Sequence, residues 1–177
     1  MSIVDHLIEQ ADGLSASTSA GRLRQADMRR AISTAYHAVF HELVGSVVAS
    51  VRPVREVSSP VGLRLRRVVA HRSVNVASHW FAGMGVPPVA IADMFPPGFS
   101  PSQELRTLCK RVIKLQENRH AADYNLSWKV DTRGTRRLVE AAREGVALLR
   151  SLENSRQRTV FLIGYLLGTG AMRNAEE

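Results

Sequence analysis

Arg29-Arg30-Ala31-Ile32-Ser33-Thr34-Ala35-Tyr36-His37-Ala38-Val39-Phe40-His41 is the stretch on which the reading of this chain turns. On a helix of 3.6 residues per turn, Ile32, Tyr36, Val39, Phe40 and Leu43 share one side, and Arg30, Thr34, His37 and His41 share another. Arg29 projects toward the apolar side with Tyr36 and Phe40. An ionised group on a buried stripe requires a partner, because stranding it away from water is costly. A second stretch, Arg119-His120-Ala121-Ala122-Asp123-Tyr124, has the same character: Arg119 and Asp123 stand on the stripe that carries Leu105, Leu108, Val112, Leu115 and Ala122. One turn apart, these two charges can pair with each other, and Asp123 with Arg29 as well. The expectation is a structural ion-pair cluster of Arg29, Arg119 and Asp123.

Working outward, the helical period recurs almost everywhere. Residues 3–13 repeat Ile3, Leu7, Ile8 and Ala11 until Gly13, and the quoted stretch lies in a long helix over 21–50. Ser59-Pro60 opens a third helix running to about Phe81, with Leu65, Val69, Val76 and Trp80 as its stripe. Glycines and prolines make 83–101 a loop, whose Val86, Val89, Ile91, Met94 and Phe95 either fold back on the bundle or face a partner. Ser100, Pro101 and Gln103 read as a capping-box start to a fourth helix. A fifth spans about 133–153, and a sixth 156–168 with Phe161, Leu162, Tyr165 and Leu166. Amphipathic helices joined by short connections predict an all-α antiparallel bundle of five or six helices without a sheet. The bundle is expected over residues 1–153, and 154–177 as a helical extension packed on the same domain or at a dimer interface.

The length of 177 residues with 45% apolar content suits one domain with a sizeable core, and the net charge of +8 biases the protein toward polyanions. Cys109 is the only cysteine, which excludes an internal disulfide or a thiolate metal cluster and fits a reducing cytoplasm; a core role is expected for it. The opening Met-Ser-Ile-Val-Asp-His carries no signal-peptide pattern, and the longest apolar run, Val160 to Leu167, is too short to span a bilayer. A cytoplasmic, non-membrane protein is expected. There is no phosphate-binding glycine loop and no serine elbow, and His37 and His41 lack an acidic residue between them and a third ligand. Neither a metal nor a cofactor is expected.

Together the two motifs resemble the small HEPN family, in which an Arg-Ala-Ile-Ser-x-x-Tyr-Tyr-Ala-x-Phe-His helix is followed much later by an Arg-x-x-Ala-Asp-Tyr helix. His37 stands where the second Tyr is usual. The likeness covers roughly residues 3–153 and implies a dimeric helical bundle. Many HEPN proteins are metal-independent ribonucleases using an Arg followed, after four to six intervening residues, by a His. The His serves acid–base catalysis of attack by the ribose 2′-hydroxyl, and the Arg stabilises charge on the phosphate. Counting on from Arg119 with four, five or six intervening residues reaches Tyr124, Asn125 and Leu126, none of them His. His120 points about 100° away around the helix. The pairs Arg30–His37, Arg64–His71, Arg66–His71 and Arg72–His79 all lie on earlier helices, and Arg30, His37 and His41 stand as the catalytic candidates.

Arg64, Arg67 and His71 share one side of the third helix, either a solvated face or a polyanion site. With Arg119 and Tyr124 they are the ligand-binding candidates. Three functions are consistent with these features. The favoured one is a non-catalytic HEPN-like module that binds RNA or a nucleotide or, as the resemblance implies, partners a small nucleotidyltransferase-like protein, in a toxin–antitoxin or defence-type system. The alternatives are a metal-independent ribonuclease toxin and a non-catalytic dimeric scaffold. A homodimer is expected, built from the second or fourth helix, the loop 86–95, or the tail near Phe161 and Tyr165.

Overall fold

Ser2 opens the first helix, α1 (Ile3–Ser15), with a capping box: its hydroxyl accepts from the Asp5 amide at 3.2 Å, and the Asp5 carboxylate accepts from the Ser2 amide at 3.0 Å. The computed structural model describes residues 1–16, 24–50, 71–87, 89–93, 95–153 and 155–173, with the side chains of 72, 90, 91 and 167–173 excepted. Gly13 does not end α1, which runs two residues further and closes with an Ala16 N–H to Gly13 carbonyl bond of 3.3 Å.

The remaining segments are α2 (Gln25–Ser50), α3 (His71–Ala82), the single turn α4 (Val89–Ala92), α5 (Gln103–Tyr124), α6 (Thr132–Ser151) and α7 (Arg156–Arg173). There is no strand among the described residues, so the fold is an all-α helical bundle. Residues 21–23 and 59–70, read as the starts of the second and third helices, lie outside the described residues. α3 stops in a Schellman motif: Gly83 takes φ +75° and donates to the Trp80 carbonyl at 3.1 Å, and Met84 donates to the His79 carbonyl at 2.9 Å. α5 is capped by Ser102, whose hydroxyl accepts from the Leu105 amide at 3.3 Å; the expected capping box at Ser100, Pro101 and Gln103 is corrected to this residue. Asp131 caps α6, accepting from the Gly134 amide through its carboxylate and from the Thr135 amide through its carbonyl.

The chain divides into two units. The first comprises Met1–Glu42 and Arg111–Ala147, and its core gathers Val4, Ala11, Ile32, Tyr36 and Val39 with Val112, Leu115, Leu138 and Val146. Within it α2 is buried on more of its circumference than a two-faced pattern implies. Thr34, expected on the polar side, is buried, and Phe40, expected inside, is half-buried. The open stripe is Arg29, Arg30, Ser33, His37, Phe40 and His41.

The second unit comprises Leu43–Lys110 and Leu148–Glu177. Here α3 packs on α7. Phe81 meets Phe161 edge-on at 5.2 Å between centroids, and Phe95 and Phe99 of the 83–101 loop close on it at 5.5 and 6.2 Å. Tyr165 packs against Phe161 at 4.6 Å and exchanges a buried hydrogen bond of 3.0 Å with Ser78. Phe161 and Tyr165, whose helix was expected to pack on the same domain or at a dimer interface, are fully buried: both are consumed by the unit's own core. The loop splits likewise, Phe95 turning inward while Met84, Val86 and Val89 stay exposed; Met94 lies outside the described residues. Cys109 is a core residue, and burial pushes its thiol well above the usual range.

Candidate functional site

Two motifs ninety residues apart in sequence meet in the first unit. The Ser33 hydroxyl of α2 donates to the Asp123 carboxylate of α5 at 3.3 Å. The same carboxylate oxygen lies 2.7 Å from Arg119 Nε, one turn back on α5. That contact is charge pairing more than an aligned hydrogen bond, because the Nε–H is not directed along it and has no other acceptor. The Arg119 guanidinium carbon stands 6.0 Å from the Tyr36 ring centroid and 5.5 Å from that of Tyr124. Side-chain exposure is 20% for Arg119 and 27% for Asp123, which puts the pair at the rim of the core rather than inside it. Water screens such a pair, so the ion pair expected on a buried stripe is instead a contact at the rim.

Arg29 does not complete this pair by reaching Asp123. Its guanidinium binds backbone carbonyls where α5 ends: Ala122 at 3.1 Å, Asn125 at 2.9 Å, Leu126 at 3.2 Å and Trp128. The last carbonyls of a helix have no partner within it and carry the negative end of its dipole, so a cation with several donors satisfies both at once. Gln25, one turn earlier on α2, adds a two-way bond to Val130, donating to its carbonyl at 2.7 Å and accepting from its amide at 3.3 Å. Within the connection itself the Asn125 side-chain carbonyl accepts from the Ser127 amide at 3.1 Å, the Ser127 hydroxyl at 2.7 Å and the Trp128 amide at 3.2 Å, an Asx-type turn. The Arg29 guanidinium also lies 6.0 Å from the Trp128 ring.

Around this core stand rings with fixed neighbours. His37 Nδ1 donates to the Ser33 carbonyl at 2.8 Å; a carbonyl only accepts, so Nδ1 carries the proton. The His37 ring meets Tyr36 edge-on at 5.6 Å, and the His41 ring meets Phe40 at 6.0 Å. His120, exposed, tilts against Tyr124 at 5.0 Å. Burial pushes the Tyr36 phenol far above its ordinary value of 10.0, against a smaller lowering by Arg119, so Tyr36 is neutral at physiological pH. The arrangement offers a guanidinium flanked by aromatic rings, a carboxylate already engaged and exposed rings at a helix end.

Of the other sequence candidates, Arg30 is exposed on α2, and His37 and His41 are half-buried on its open stripe. His71 is half-buried in the second unit, at the beginning of α3. Arg64 and Arg67 lie outside the described residues. No group of three or more His, Cys, Asp or Glu side chains gathers among the described residues, and no helix there is long and apolar enough to cross a membrane. Gln25 and Trp128 belong to the site and were not expected in it; the signal for them is the Asn125-x-Ser127-Trp128 turn directly after a helix end. Comparison with protein-family models, curated proteins and solved structures produced no match to this chain.

Proposed function

We propose that this chain is a HEPN-like module that binds RNA or a nucleotide and serves as a partner in a toxin–antitoxin or defence-type system. One observation carries the reading: the two motif helices meet, Ser33 touching Asp123 and Arg119 standing between Tyr36 and Tyr124. The net charge of +8 supports an anionic ligand, and Arg119 and Tyr124 supply a cation and an exposed ring beside each other. Catalysis is not part of the reading, because no His follows Arg119 at the spacing that the resemblance requires. The module acts as a homodimer, with a nucleotidyltransferase-like protein as its further partner.

Titration of a fluorescently labelled single-stranded RNA tests it. Binding that weakens by orders of magnitude as salt rises from about 50 to 200 mM, without cleavage in chelator, is the expected result. Absence of binding at low salt overturns the reading. Cleavage in chelator that is lost in His37→Ala with the fold intact replaces it with the ribonuclease.

A further inference from the structure

We infer that the end of α5 is a stacking platform for an unpaired nucleobase, formed by Tyr124 with His120 and held rigid by Arg29 and Gln25. The inference rests on the RNA- or nucleotide-binding reading and specifies the part of the ligand that is recognised.

Tyr124 is the last residue of α5 and is 63% exposed; Leu126, two residues on, is 92% exposed. Large apolar groups are thus left in water at a helix end whose backbone is otherwise thoroughly bonded. The Tyr124 ring is restrained, with the Arg119 guanidinium carbon 5.5 Å from its centroid and the His120 ring 5.0 Å away at 51°. The backbone that follows the ring is fixed by four Arg29 contacts to carbonyls, by the two-way Gln25–Val130 bond and by the Asn125 turn. A ring and loop already ordered lose little freedom when a ligand arrives. A restrained ring beside a guanidinium receives a base by its face, and every base has such a face, so the contact is tolerant of sequence.

Charge decides what kind of ligand brings the base. Residues 24–30 and 119–137, tied together by the Arg29 and Gln25 bonds, carry eight arginines and lysines against three aspartates. A purely apolar protein segment is poorly matched to that excess. A single strand of nucleic acid supplies both a stacking face and an anionic backbone. The shared chemistry of RNA and DNA strands is what the platform reads, and the ribose 2′-hydroxyl separates them.

The test uses three labelled probes with the full-length protein: a ten-residue oligouridylate, an oligothymidylate of the same length, and inorganic polyphosphate as an anion without bases. Tyr124→Ala is expected to weaken oligonucleotide binding roughly tenfold or more, the scale of one lost base–aromatic stack, while polyphosphate binding is unchanged. Tyr124→Trp is expected to bind at least as well as the wild type, which guards against a folding artefact in the alanine variant. A loss shared by both oligonucleotides, or confined to the RNA, upholds the platform and identifies which strand it takes. If the wild type binds RNA but Tyr124→Ala binds it equally well, or loses polyphosphate to the same extent, the platform is overturned and the RNA-binding reading stands. If the wild type binds neither oligonucleotide, both fall. Unchanged RNA affinity with a light-scattering mass that drops from dimer to monomer in Tyr124→Ala assigns the patch to a contact between copies and overturns the inference.

Discussion

Arg29 on α2 donates to the carbonyl of Asn125, 2.9 Å away, at the residue immediately after α5 ends. A cation at an apolar helix face invites the assumption of an acidic partner, yet the negative end of a helix serves the same purpose. Because the guanidinium also reaches Ala122, Leu126 and Trp128, one side chain closes the α5–α6 connection onto α2.

Arg29→Ala is therefore expected to destabilise the fold by about 2–3 kcal/mol, the scale of charge-assisted hydrogen bonds lost to four carbonyls, of which those of Ala122 and Trp128 are partly buried. Arg29→Lys recovers only part of this, since a single ammonium cannot span four acceptors. Urea unfolding measures both, and hydrogen exchange at the Trp128 and Val130 amides accelerates in the alanine variant. A variant as stable as the wild type refutes the clamp.

Arg119 and Asp123 are expected to couple weakly. Both side chains are partly exposed, so a double-mutant cycle yields about 0.5–1 kcal/mol, declining with added salt. A coupling several times larger indicates a dry pair, which the exposure contradicts.

Tyr36 makes stability fall at alkaline pH. Its phenol is held above the unfolded value of about 10 by burial, so between that pH and the folded value the unfolded chain releases a proton that the folded chain retains. The contribution is fully present below pH 10 and is lost above it, at about 1.4 kcal/mol per pH unit for this group. Tyr36→Phe flattens that part of the stability–pH curve, and an unchanged slope rejects the assignment.

Gly164→Ala is expected to cost about 1–3 kcal/mol by overpacking. A Cβ built there comes within 2.5 Å of the Phe81 ring, which is held in turn by Phe95, Phe99 and Phe161. Phe81→Leu in the same chain restores part of the loss if the clash is the cause, and thermal melts of the single and double variants decide it.

The local features were legible in the sequence because their causes lie within one or two turns. The helical period locates α1, α2, α5, α6 and α7 to within a few residues, Gly83 ends α3 through a positive φ, and Arg119 and Asp123 pair at i, i+4 as their spacing demands. Their depth was not legible: a stripe pattern says which side faces inward, while the exposure of Arg119 and Asp123 depends on how far the neighbouring helices extend past them.

What only the tertiary structure decided is which groups met across long stretches of chain. Arg29 announced the need for an acceptor and was silent on whether a carboxylate or a helix end would supply it, because either compensates a cation. Phe161 and Tyr165 announced apolar surface without stating what covers it, and the answer is Phe81 and Ser78, 80 and 87 residues away in the chain. Gly164 carried no signal of its own, since the close approach that requires it exists only once α7 lies against α3. Periodicity and capping are properties of a helix in isolation, whereas burial, hydrogen-bond satisfaction and close packing are properties of the pair of helices in contact.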